Sequence, residues 1–191
     1  MARTSRLTTP NRPAIQATLR AAGALLLLGS LGSGSTAWAA AGDLDTSFGT
    51  DGIASWDGGG SEQGRAVAVQ PDGKILVAGE ADNGTDEDFA VARFNADGSL
   101  DPGFGSNGIA AWDLGNAEYA YSLAVQPDGG VLVAGEIYNG SEYDFALARL
   151  HADGTLDPGF GSNGVARRDW EEHDLGRALA VQPDGKILVA G

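Results

Sequence analysis

The sequence predicts an all-β fold, a partial β-propeller of tandem 56-residue four-stranded blades behind a signal peptide, and three observations predict it. First, a hairpin motif returns: AVQPDGKILVAGE from Ala68 to Glu80, AVQPDGGVLVAGE from Ala124 to Glu136, and AVQPDGKILVAG from Ala180 to Gly191. Gln70, Gln126 and Gln182 stand 56 residues apart (126 − 70 and 182 − 126), as do Phe48, Phe104 and Phe160, with nothing inserted or deleted between copies. Second, each interval holds four short strand candidates. Third, those strands are apolar on both faces, as in sheets stacked against one another.

Taken in order, residues 1–41 read as a secretory signal peptide. An arginine-bearing start precedes the apolar run AAGALLLLGSLG, and Ala37-Trp38-Ala39 forms an A-x-A cleavage pattern, placing cleavage near Ala39 or Ala41. The apolar run is shorter than the ~20 residues a spanning helix needs, and glycine interrupts it. Residues 42–191 then form the tandem repeats, about 2.7 units.

Within a unit, GIAAWD from Gly108 is expected as the first strand, SLAVQ from Ser122 as the second, VLVAGE from Val131 as the third and DFALARL from Asp144 as the fourth. Each is rich in apolar or β-branched residues and bounded by glycine, asparagine, aspartate or proline. Proline fixes φ in the first turn position and glycine accepts positive φ, so Pro71-Asp72-Gly73 makes a tight turn. The hairpin around it is expected to supply the two central strands of a blade. Along RAVAVQ, Val67 and Val69 point one way and Ala66 and Ala68 the other; along DFAVARF, Phe89 and Val91 oppose Ala90 and Ala92. Small residues on one face admit the large residues of a neighbour. A β-solenoid is the competing architecture, but its coils normally take far fewer residues than this period.

Composition narrows the function classes. Thirty glycines and few aromatics suit short strands and tight turns, and 42% hydrophobic content is too high for a disordered chain. From Gly42 onward there are 8 basic and 26 acidic residues, a formal charge of −18. Such a surface repels phosphate backbones and anionic headgroups, so nucleic acid is excluded as a partner; a protein or carbohydrate ligand and cations stay open. With no cysteine, stability comes from packing rather than disulfides.

The run Arg93-Phe94-Asn95-Ala96-Asp97-Gly98-Ser99-Leu100-Asp101, continuing to Phe104-Gly105 and Gly108, together with the QPDGK hairpin, is similar to the pattern of the delta-60 repeat family, bacterial exported proteins with tandem repeats of about this length. The resemblance covers Leu44 to Gly191. It implies a propeller-like fold and an exported setting, extracellular, periplasmic or in the cell envelope, and it supplies no catalytic or binding residues. A propeller needs four to eight blades, so the chain is expected either to be a fragment of a longer protein or to complete a ring as a homo-oligomer.

Candidate sites are few. Asp97, Asp101, Asp153 and Asp157 are the candidate calcium ligands, because oxygen-bearing side chains alternate there around Gly98 and again one period later. The same spacing fits Asx-turns in which these aspartates cap local amides. Trp56-Asp57 and Trp112-Asp113 end their strands, whereas the third copy reads Arg168-Asp169-Trp170; an aromatic beside an acid suits either sugar stacking or packing between blades. Arg93 and Arg149 are expected to pair with the aspartate of the following LDPGF loop. No catalytic or cofactor-binding set emerges, so the chain reads as non-enzymatic; a fragment of a calcium-dependent or carbohydrate-acting enzyme is the alternative.

Overall fold

The computed structural model describes residues 17–20, 42–170 and 173–191, and among them there are strands and turns but no helix. The signal peptide expected at 1–41 lies outside the described residues, apart from 17–20. Strands β1 (Ala17–Arg20) and β2 (Ile53–Trp56) pair with each other. Blade one consists of β3 (Glu62–Val69), β4 (Ile75–Asp82), β5 (Glu87–Phe94) and β6 (Ile109–Trp112) in consecutive antiparallel order. Blade two repeats it with β7 (Glu118–Val125), β8 (Val131–Tyr138), β9 (Tyr143–Leu150) and β10 (Val165–Arg168). A third sheet holds β11 (Ala178–Val181) and β12 (Ile187–Ala190). The fold is therefore all-β, built of four-stranded antiparallel blades that match the 56-residue period.

The phase of the blade differs from the sequence expectation. GIAAWD does not open its unit; as β6 it closes the preceding blade, with Ile109 opposite Ala92 and Trp112 opposite Phe89. The intervening LDPGFGSNG segment causes this, because it folds back along β5 instead of crossing to the next sheet. Asp101 N donates to Arg93 O at 2.9 Å and Arg93 N donates to Gly108 O at 2.8 Å. In consequence the hairpin supplies an edge strand, β3, and one central strand, β4, and the second central strand is β5.

The turns obey the chemistry of their residues. Gly73 N donates to Gln70 O at 2.9 Å, and the glycine takes φ of 85°, where a β-carbon would clash with its own backbone. Gly98 and Gly154 are needed for a different reason. Gly49 N donates to Asp97 O and Gly105 N to Asp153 O, both at 2.7 Å, so each unit hydrogen-bonds to the loop of the next. A β-carbon at Gly98 would lie 2.6 Å from Gly49 N, and one at Gly154 would lie 2.8 Å from Gly105 N.

The core sits between blades. Leu76, Ala78, Phe89 and Val91 of blade one pack on Ala120, Val131, Val133, Ala146 and Ala148 of blade two. One period on, Leu132, Ala134, Phe145 and Leu147 pack on Leu179, Val181, Ile187 and Val189 of the third sheet. The rings enter at glycines, Phe89 against Gly135 and Phe145 against Gly176. Each face, however, mixes large and small residues instead of separating them as the alternation predicts, because Ala66 and Ala78 share a face with Val91 and the receiving faces also carry Val131, Val133, Leu179 and Val181. The edge strands β3, β7 and β11 lie side by side.

Candidate functional site

The structure separates the four aspartates that the sequence nominates for calcium. Asp101 is buried and its Oδ2 is held by Arg93 Nε at 2.6 Å and Lys74 Nζ at 2.7 Å. The Lys74 hydrogen bond, with further help from the Gly103 amide and Arg93, lowers its pKa to about 2. Two cations already neutralise this carboxylate, which leaves a metal ion no electrostatic reason to replace them. Asp97 turns the other way: its Oδ1 accepts from Ser99 Oγ at 2.6 Å and Ser99 N at 2.9 Å, an Asx-turn that lowers its pKa. Asp153 repeats this with Thr155, at 2.7 Å to Oγ1 and 3.0 Å to the amide. Asp157 accepts from Gly159 N at 2.8 Å and pairs with Arg149 at 2.6 Å.

The arginines behave as the sequence predicts, and each does a second job. Arg93 lies 4.5 Å from the centre of the Phe104 ring and donates to Ala152 O at 2.5 Å, reaching the next unit. Arg149 lies 4.6 Å from the Phe160 ring. The ion pair of Lys74 with Asp101 gives it a structural role that Gly130, at the same position of the next unit, does not share.

A different set of acids converges at the seam between blades one and two. Asp88 in β5, Asp113 just beyond β6 and Glu118 at the start of β7 each offer a carboxylate oxygen, all within 4.8 Å of one another. Asn83 Nδ2 donates to both oxygens of Asp88 at 3.0 Å. Glu118 is fully buried and neither of its oxygens has a hydrogen-bond partner. The Leu114 and Asn116 amides approach it and favour its charged form, without meeting hydrogen-bond geometry. Burial outweighs them, and with repulsion from Asp88 and Asp113 it pushes the Glu118 pKa up to about 7. Its counterpart one unit earlier, Glu62, is satisfied, accepting from Gly58 N and Gly60 N at 3.1 Å.

A third polar group is organised by β-bulges. The pairing of β3 with β4 skips a residue at Arg65, and that of β7 with β8 skips one at Tyr121. A bulge re-aims its extra side chain. Arg65 Nε thereby reaches Glu80 Oε2 at 2.7 Å, and Tyr121 Oη reaches Glu136 Oε1 at 2.5 Å. His173 adds a contact to Glu136 Oε2 at 2.9 Å while stacking on Tyr143.

The tryptophans pack. Trp112 lies 5.7 Å from Phe89, and Trp170, displaced by two residues in sequence, lies 6.0 Å from Phe145, which occupies the position of Phe89 one unit on. Trp56 instead lines an open cavity of about 170 Å³ on the outer face of blade one, with Gly64, Ala66, Gly79, Ala90 and Phe94. On this face Val67 and Val69 are 56% and 68% exposed, whereas their counterparts Leu123 and Val125 are packed against the core.

Comparison with known proteins agrees with this architecture. A family model described as a domain of unknown function (DUF5122) beta-propeller matches residues 70–104 and 126–160, two stretches one period apart. No curated protein matches the chain. The chain is thus similar to a β-propeller family over the corresponding parts of two successive units, from the hairpin turn to the LDPGF phenylalanine.

Proposed function

We propose that this is an exported, non-enzymatic propeller-type module of the delta-60 kind, acting as a structural and binding surface whose ligand is a further unit of the same repeat. The observation that carries the reading is the open face of blade one. On blade two the equivalent face receives Phe89, whose ring stands against Gly135. On blade one the corresponding Gly79, with Gly64 and Ala90, lines the open cavity. An engineered cavity of ~150 Å³ accepts a benzene-sized ring, so this one has room for the phenylalanine of another blade. The carbonyl contact of Arg93 with Ala152 and the backbone bonds from Gly49 to Asp97 and from Gly105 to Asp153 support the same reading, because they join unit to unit.

The test is native mass by light scattering. The exported chain is expected to self-associate, and Val67→Glu with Val69→Glu is expected to lower the mass while leaving the β circular dichroism intact. A monomer that melts cooperatively and ignores these substitutions would overturn the proposal. Export has its own readout. Mass spectrometry of protein recovered outside the cytoplasm is expected to show a chain beginning at Ala40 or Gly42, and retention of an uncleaved chain inside the cell would refute it.

A further inference from the structure

We propose that Asp88, Asp113 and Glu118 bind a divalent cation, calcium by preference, across the seam between blades one and two. The three carboxylates come from β5, from the segment after β6 and from β7, so they meet only when the blades are stacked. Calcium binds carboxylate oxygens at about 2.3–2.6 Å, so two ligands of one ion stand at most ~5 Å apart. Separations within 4.8 Å meet that limit without rearrangement.

A cluster of acids alone would not carry the inference, since surface carboxylates often gather without an ion. Glu118 carries it. Its side chain is fully buried at the cluster and both oxygens are unpartnered, an arrangement costly for a carboxylate without a counter-charge. Among the described residues no ion pair engages any of the three acids; the Arg65, Lys74, Arg93 and Arg149 pairs all lie on other carboxylates. Asn83 fixes Asp88 by donating to both its oxygens, as a supporting residue fixes a ligand. Bidentate carboxylates, backbone carbonyls and water can complete the six to eight oxygens calcium takes, whereas magnesium demands a tighter octahedron.

The neighbouring units mark the site as particular to this seam. One period on, Asp144 and Asp169 cluster with Glu142, but Asp174, at the position of Glu118, accepts Trp170 N at 2.7 Å. One period back, Glu62 holds two amides. Among the described residues, only the middle copy combines converging acids with an unpartnered, buried carboxylate.

The experiment uses the full chain freed of metal with a chelator. Titration calorimetry with calcium chloride in moderate salt is expected to show one saturable equivalent and a raised melting temperature. Terbium is expected to luminesce on excitation of tryptophan, through neighbouring Trp112, and calcium is expected to displace it. Glu118→Gln and Asp88→Asn should each weaken binding at least about tenfold, Trp112→Phe should dim the terbium signal, and Asp97→Asn should change neither. Asp113 is exposed, so Asp113→Asn repeats the test without disturbing the core if the buried variants fold poorly. No saturable binding, or Glu118→Gln binding calcium as tightly as the unaltered chain, overturns the proposal. So does a melting temperature raised by Glu118→Gln and untouched by calcium, because then a proton and not a metal satisfies the site.

Discussion

Phe89 of the first blade sits against Gly135 of the second so closely that a β-carbon at 135 would stand 2.9 Å from its ring, and 2.0 Å from the carbonyl oxygen of Tyr119. Blade stacking and strand pairing therefore meet at one glycine. Gly135→Ala must push β8 away from β7 and from the phenylalanine together, and is expected to cost about 3 kcal/mol or more. Phe89→Ala, which empties the socket, is expected to cost ~3–5 kcal/mol, and Phe89→Leu under half of that. Urea unfolding of the three variants checks the order.

Asp101 sets an acid limit on stability. Its folded pKa is about 2 against an ordinary 3.8, so its contribution is fully present above about pH 4 and is lost as pH falls toward 2. The expected loss is on the order of 2 kcal/mol. Asp101→Asn should lose that part of the acid dependence while being less stable at pH 6, since Arg93 and Lys74 then lack their counter-charge. Denaturant midpoints at pH 6 and pH 2.5 for both proteins decide it; parallel curves would refute the assignment.

The Lys74 pairing can be transplanted. Gly130 holds the same place in the second unit, its φ is not positive, and an added β-carbon would meet nothing closer than 3.1 Å. Gly130→Lys is expected to bring an ammonium to Asp157 and to raise stability by up to about 1 kcal/mol at low salt, fading as salt is added. Lys74→Gly should do the opposite in the first unit. Thermal melts at two ionic strengths read both effects.

Equivalent valines should respond unequally. Val125 is packed into the seam and Val69 is 68% exposed on the open face. Val125→Thr buries a hydroxyl and is expected to cost ~1–2 kcal/mol, whereas Val69→Thr should stay within about 0.5 kcal/mol in the monomeric state. Equal costs in that state would mean that the first face is covered like the second.

Much of the fold was legible because periodic residues report periodic contacts. The interval gave the blade, the valine and alanine alternation gave the two buried faces, and Arg93 with Asp101 gave the ion pair. The phase was not legible, because a repeating string has no marked origin; only the backbone bonds at Arg93 show that the strand from Ile109 closes one blade instead of opening the next. The seam acids were half visible. Asp88 and Asp144, Asp57, Asp113 and Asp169, and Glu62, Glu118 and Asp174 each recur at the period, but thirty residues separate the ends of one set, and chance acids abound in this chain. What distinguishes Glu118 from Glu62 is the geometry of two amides, and no residue type encodes that.

The bond from Gly49 N to Asp97 O, and its copy from Gly105 N to Asp153 O, span the same number of residues. Every unit thus addresses its successor by a fixed offset and never by an absolute position. Inserting or excising 56 consecutive residues within the array would leave each surviving donor facing an acceptor of the same kind. Unequal recombination can therefore change the number of blades and still leave this backbone bond in place at the new junction, whatever side chains line the seam.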